Sequence, residues 1–344
     1  MKLKRVDVVL SVLLAVAALL TLAPARGGKA QALKAPVAAK GRVGLVFDVG
    51  GRGDKSFNDA AFDGLERARA QLGVEARYLE PQGSSDRESA LRLFAASGLD
   101  LVIGVGFIFS SDIDEVAKAY PNVRFACIDY APRGAAMPPN VAGLSFREEE
   151  GSFLVGAAAG LLSQSRHVGF VGGMTGPLIR KFEVGYAEGV RATCPSCTVH
   201  SAYAGTTPDA YRDPAKGKAL TVSQIALGAD VVYHASGATG HGVFEAAREG
   251  KALAIGVDAD QHDEMPGTVV TSMVKRADAA VYQVIERVLA GKFEGGMQVF
   301  GLKESGVDWV HEGAHAQKLP PAVIARVEQL RGEIARGERS VPTR

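Results

Sequence analysis

Residues 42–58 read RVGLVFDVGGRGDKSFN. The first seven, Arg42–Asp48, have the length and apolar content of a buried strand. A loop with glycines at 50, 51 and 53 follows, and then a helix that Ser56 is placed to cap, with Asp59 three residues on as the reciprocal acid. Phe57, Ala61, Phe62, Leu65, Ala68 and Leu72 line one face of that helix, and Gly73 ends it. Strand, glycine loop, helix: this is the opening unit of an α/β fold.

The same unit recurs along the chain. Expected strands are Leu101–Gly106, Arg124–Asp129, Val141–Phe146, Val168–Gly172, Val199–Tyr203, Val231–Ala235, Leu253–Val257 and Val269–Val274, separated by helical stretches such as Glu149–Leu162, Leu178–Arg191, Pro214–Leu227 and Ala277–Ala290. Such alternation predicts doubly wound parallel sheets, and so many strands fit two similar lobes better than one broad sheet. Composition agrees: 344 residues exceed a single core, and aromatics are only 7%. With a net charge of +1 there is no broad basic face for nucleic acid.

Ligands of such sheets bind beyond the carboxyl ends of the strands. Those ends carry Asp48, Gly106-Phe107, Asp129, Gly173, Ser236-Gly237, Asp258 and Lys275. An aspartate there can simply cap the next helix, but three aspartates and a lysine converging on one crevice point to a binding site.

Lys2, Lys4 and Arg5 precede an apolar run from Val8 to Ala23, followed by Ala23-Pro24-Ala25 and Ala30-Gln31-Ala32. This is the pattern of a cleaved secretory signal peptide, residues 1–25, with cleavage as late as 32. No cysteine precedes Cys127 to take a lipid, so a free extracytoplasmic protein is expected.

Several motifs are decoys. His311-Glu312-Gly313-Ala314-His315 matches H-E-x-x-H, but Gly313 and Pro320-Pro321 argue for a surface loop rather than a zinc-binding helix. In Gly50–Ser56 an aspartate, Asp54, replaces the glycine before the lysine of a phosphate loop, and the RGD within it reads as coincidence. Gly169–Gly176 misses the dinucleotide spacing. Cys194-Pro195-Ser196-Cys197 fits a structural disulfide in an oxidising compartment, and Cys127 an inert core position. No nucleophilic triad is present in the pattern, so no enzyme and no cofactor are expected.

Gly44–Asn58 resembles the opening signature of the basic membrane protein (BMP) family, the substrate-binding components of ABC importers that include purine nucleoside receptors. Further matching landmarks, in order, are Phe125–Tyr130, Lys181–Val190, Asp213–Lys218, Ala235–Glu249, Ile255–Gln261 and Thr271–Asp278, so the resemblance covers about residues 42–342. It implies a type I periplasmic-binding-protein fold, two Rossmann-like lobes joined by three crossovers. The lobes are expected at 42–145 plus about 259–297, and at 146–258 plus about 298–344. The resemblance places Phe57 and Tyr211 on the two faces of a base, Asp48, Asp54 and Asn58 on the ligand's polar edge, and Asp258 and Lys275 on the sugar, where they can offset each other's charge. Asp129 and Gly237 sit in matching motifs at strand exits. The implied protein is a periplasmic monomer that carries a nucleoside to an inner-membrane permease. A sugar or other small polar ligand, or a sensor built on the same lobes, is the alternative reading.

Overall fold

The computed structural model describes residues 39–344 except 82, 83, 133, 135, 314, 316 and 317. The expected leader and both cleavage motifs lie outside the described residues.

The chain forms β1 (Arg42–Val46), α1 (Phe57–Leu72), β2 (Glu75–Leu79), α2 (Ser84–Ala96), β3 (Leu101–Val105), α3 (Ser110–Ala119), β4 (Arg124–Ile128) and β5 (Val141–Phe146). Next come α4 (Glu148–Leu162), β6 (His167–Met174), α5 (Pro177–Thr193), β7 (Thr198–Gly205), α6 (Pro214–Ala226), β8 (Val231–Ala235), α7 (Gly240–Glu249), β9 (Leu253–Asp258) and β10 (Val269–Lys275). The last elements are α8 (Ala277–Leu289), β11 (Gly296–Phe300), β12 (Val307–Trp309) and α9 (Pro321–Ala335).

Two six-stranded sheets result. The first is ordered β11-β5-β4-β3-β1-β2 and is parallel throughout. The second is ordered β12-β10-β9-β8-β6-β7 and is parallel except where β12 runs against β10. Matching β1–β5 to β6–β10 makes the two orders identical, so the lobes repeat one plan. The central strands are buried on both faces, as β3 (LVIGV) and β8 (VVYHA) show, because helices cover both sides of a parallel sheet.

The chain crosses between sheets three times: from Phe146 to Glu148, from Lys275 to Ala277, and from Phe300 to Val307. This is the type I periplasmic-binding-protein architecture. One boundary is corrected. The return to the first lobe was expected at about residue 259, but β10 continues the second sheet, pairing with β9 from Val269 to Val274. The return comes with α8, which packs on α1 and sets Tyr282 4.3 Å from the Arg67 guanidinium.

The second lobe's core is a tight helix pair. Helix α4 is buried almost all round, which a helix tolerates only inside a core. It meets α5 through glycines: a Cβ on Gly189 would stand 2.0 Å from the Phe153 carbonyl oxygen. Just after α5, Cys194 and Cys197 form the expected disulfide. Among the described residues no helix is long and apolar enough to cross a membrane.

Candidate ligand-binding site

The strand ends of the two lobes face each other across a cleft with about 540 Å³ of atom-free space, open in part to solvent. All nine residues expected at the site line it: Asp48, Asp54, Phe57, Asn58, Asp129, Tyr211, Gly237, Asp258 and Lys275.

The aromatic walls come from opposite lobes. Phe57 opens α1, and Tyr211 ends a short 3₁₀ turn, Pro208–Tyr211, after β7. Two glycines give Tyr211 its seat. A Cβ on Gly173 would fall 2.3 Å from the ring, and Gly237 (φ 55°) passes close beneath it. Burial raises the Tyr211 phenol well above the ordinary tyrosine range, so it stays neutral.

Asp48 leaves β1 with one carboxylate oxygen accepting from the Val49 N–H at 2.6 Å. Its other oxygen rests on Gly106, where a Cβ would approach to 2.1 Å. Burial pushes its pKa up to about 7, with the nearby Asp129 charge adding to the effect.

Asp54 and Asn58 line the cleft, yet their polar atoms are engaged within the loop. The Asp54 carboxylate accepts from the backbone N–H groups of Ser56, Asn58 and Asp59 and from the Asn58 amide. Asn58 accepts in turn from the Asp48 N–H at 3.0 Å. Asp54, rather than Ser56, therefore caps α1, which corrects the sequence reading. Asp59 turns back to Gly53 and Lys55 N–H groups. With Asp54 only 3% exposed, the RGD tripeptide cannot present its carboxylate outward.

Ser56 is thereby released for another task. Its hydroxyl donates to Asp258 at 2.6 Å across the cleft. Asp258 and Lys275 act on each other's charge as expected, but the direct ion pairs of Lys275 are to two other carboxylates. Lys275 lies 2.6 Å from Asp129 and 3.1 Å from Glu148, with the Phe57 ring 4.9 Å from its ammonium. Burial pushes Asp258 up to about 6, while Lys275 and Ser56 pull the other way. Burial likewise raises Asp129 against the pull of Lys275. Burial opposes the Lys275 charge, but Asp129, Glu148 and Asp258 outweigh it and hold the ammonium above the usual lysine range. Asp129 (φ 61°) and Asp258 (φ 66°) end the equivalent strands β4 and β9, both in the left-handed region. Aspartate is one of the few side chains that enter that region readily.

Residues 42–342 match the family model Bmp, described as "ABC transporter substrate-binding protein PnrA-like". The chain belongs to the Bmp family. An "uncharacterized lipoprotein" of Pyrococcus furiosus is 34% identical over 84% of this chain and 77% of its own length. The "ABC transporter nucleoside-binding protein BmpA" of Lactococcus lactis is 29% identical over 93% of this chain and 96% of its own. A solute-binding protein of an Aeropyrum pernix K1 ABC transporter superposes with a TM-score of 0.76 at 32% identity, covering 88% of this chain and 93% of that one. This Bmp-family chain is therefore an ABC-transporter substrate-binding protein, a class that works outside the cytoplasm.

Sequence reasoning missed part of the Bmp cleft. Leu178, Ile179 and Phe182, from the first turns of α5, line it, and only the helix periodicity of that segment hinted at an inward face. Ser56 and Glu148 were missed because their partners lie some 200 and 130 residues away in sequence.

The decoys resolve into structure. His311 stacks on Trp309 with ring centroids 4.7 Å apart, whereas His315 is buried against Asp260 at 2.6 Å, so the expected surface loop buries one of its histidines. Ala314 of that motif lies outside the described residues. Cys127 is fully buried, and burial raises its thiol well above the ordinary range.

Proposed function

We propose that this chain binds a nucleoside with a purine base between its lobes and delivers it, as a periplasmic monomer, to an ABC permease in the inner membrane. It carries its ligand without transforming it. The observation behind this reading is the meeting of two kinds of group in one cleft. Phe57 and Tyr211 offer ring faces from opposite lobes, and Asp258 and Lys275 offer charge beside them. A purine is flat and apolar on its faces, and each ring stacked on it contributes roughly 1–3 kcal/mol. Ribose presents vicinal hydroxyl donors to a carboxylate through charge-assisted hydrogen bonds. Asp258 gives one oxygen to Ser56, which leaves the other for a ligand hydroxyl. Several carboxylates in a closing cleft disfavour nucleotides, whose phosphate would meet like charge. The name of the Lactococcus relative points the same way.

Native mass spectrometry of the purified protein should find a retained nucleoside. Isothermal titration with inosine, adenosine and their free bases then apportions the roles. Asp258→Ala should weaken nucleoside binding about ten- to a hundredfold, from the loss of bonds worth roughly 1.5–3 kcal/mol each, while sparing the base. Phe57→Ala should weaken nucleoside and base alike. Binding of free ribose without any binding of nucleoside would replace this reading with a sugar carrier.

A further inference from the structure

Behind the cleft, charged groups form one continuous chain from Lys275 to the first two crossovers. The Lys275 ammonium, at the end of β10, lies 2.7 Å from Asp129 Oδ2 and 3.1 Å from Glu148 Oε1. Glu148 is fully buried and gives its other oxygen, Oε2, to Lys181 of α5. Two lysines thus share one carboxylate, one oxygen each. Lys181 also donates to the Phe146 carbonyl and lies 3.4 Å from Glu149 Oε2. It therefore clasps the first crossover from both ends, Phe146 before it and Glu148 after it. Lys275 stands immediately before the second.

Nothing in this arrangement is redundant. Three carboxylates, Asp129, Glu148 and Glu149, face two ammonium groups; the carboxylates and Lys275 are buried, while Lys181 is about 24% exposed. If Lys181 is removed, Glu148 keeps a single cation, and Coulomb attraction at low dielectric draws that cation toward it. Lys275 would then leave Asp129 and the position it holds beside Phe57. Lys181 lines a space bounded by Tyr130, Ser145 and Pro177 that adjoins the ligand cleft and shares Asp129, Ile179 and Tyr211 with it; Lys181 is not among the residues lining the cleft proper.

We propose that Lys181 is a positioning residue: by holding Glu148 Oε2 and the Phe146 carbonyl, it fixes the Lys275 ammonium in the cleft and so sets the protein's grip on the sugar of its ligand. The second half of this statement rests on the nucleoside reading above. A group that must meet a ligand hydroxyl within about half an ångström depends on the residues that hold it.

The test compares the wild-type chain with Lys181→Met, Lys181→Gln and Lys181→Arg. The Gln variant keeps a donor for the Phe146 carbonyl without the charge, and guards against a Met variant that fails to fold. Crystal structures should show Lys275 drawn off Asp129 toward Glu148 in Met or Gln and restored in Arg. Titration with adenosine and adenine should show about a tenfold loss for the nucleoside in Met or Gln, a change of less than twofold for the base, and recovery of most of the loss in Arg. Lys275 remaining on Asp129 in the uncharged variants would overturn the inference, as would equal losses for nucleoside and base. A wild-type chain that binds neither compound would instead overturn the nucleoside reading, while the crystal comparison still decides where Lys181 holds Lys275.

Discussion

At the scale of single residues, burial sets the protonation of the cleft. Asp48 has its pKa pushed from the ordinary 3.8 to about 7, so the folded chain keeps a proton that the unfolded chain has lost. The sign follows from linkage: the stability tied to that proton is fully present below about pH 4 and is lost as pH rises through about 7. Asp48→Asn removes the titration. The melting temperature of the variant minus that of wild type should therefore grow between pH 4 and pH 8, ending a few degrees higher, since about 1 kcal/mol moves a chain of this size by roughly 2–4 °C. Thermal scans across that range check it, and a difference independent of pH would refute it. The strand-exit rule located Asp48, Asp129, Asp258 and Lys275 from sequence because a parallel sheet fixes where strands end. It could not say which carboxylate meets which partner. The Lys275–Asp129 and Ser56–Asp258 bonds join segments 146 and 202 residues apart, and no local pattern encodes such pairs.

At the scale of elements, the loop between β1 and α1 shows why one aspartate counts as scaffold. Asp54 satisfies three backbone N–H groups at the start of α1, where helix donors lack partners and the helix dipole favours an anion. Asp54→Ala should cost about 1–2 kcal/mol in denaturant unfolding and also weaken base binding, because Phe57 is the first residue of the freed turn. Asp54→Asn keeps an acceptor and should lose less of both. Full stability in the alanine variant would show that the cap is dispensable. The elements the sequence hid are edge strands that bury little. β2 (EARYL) exposes Arg77 and Tyr78, β12 (VDW) has only three residues, and β11 (GMQVF) turns its apolar Met297 and Val299 outward. Buried central strands such as β5 and β8 were legible to the residue because both faces must be apolar. The chain's late return to the first lobe was hidden for a different reason: β10 is apolar enough for either sheet, and only its pairing with β9 decides.

At the scale of the whole molecule, two repeats of one plan are tied across the cleft by bonds that do not require ligand. Gln261, beyond β9, donates through Nε2 to the Lys55 carbonyl of the opposite lobe at 3.0 Å. Its Oε1 meanwhile accepts from the Val257 N–H at 2.8 Å and faces His234 Nε2 at 3.0 Å within its own lobe. Burial holds His234 down to about 3, so that ring is neutral and its hydrogen bonds are the ones that fix the turn before Gly237. Gln261→Glu separates the two duties. One oxygen keeps the bonds to Val257 and His234, while the other puts an acceptor against the Lys55 carbonyl and breaks only the tie between lobes. If the closed arrangement is the one that binds, apparent affinity scales with the fraction of molecules closed. Losing one hydrogen bond worth about 0.5–1.5 kcal/mol should then lower affinity roughly two- to tenfold. The loss should be equal for nucleoside and free base, because closure precedes any reading of the sugar. It should shrink relative to wild type as pH falls and the new carboxyl gains a proton to donate. Titration calorimetry of both ligands at pH 5 and pH 8 makes the comparison. A loss confined to the nucleoside would place Gln261 in sugar recognition, and unchanged affinity would show that the ligand alone holds the lobes together.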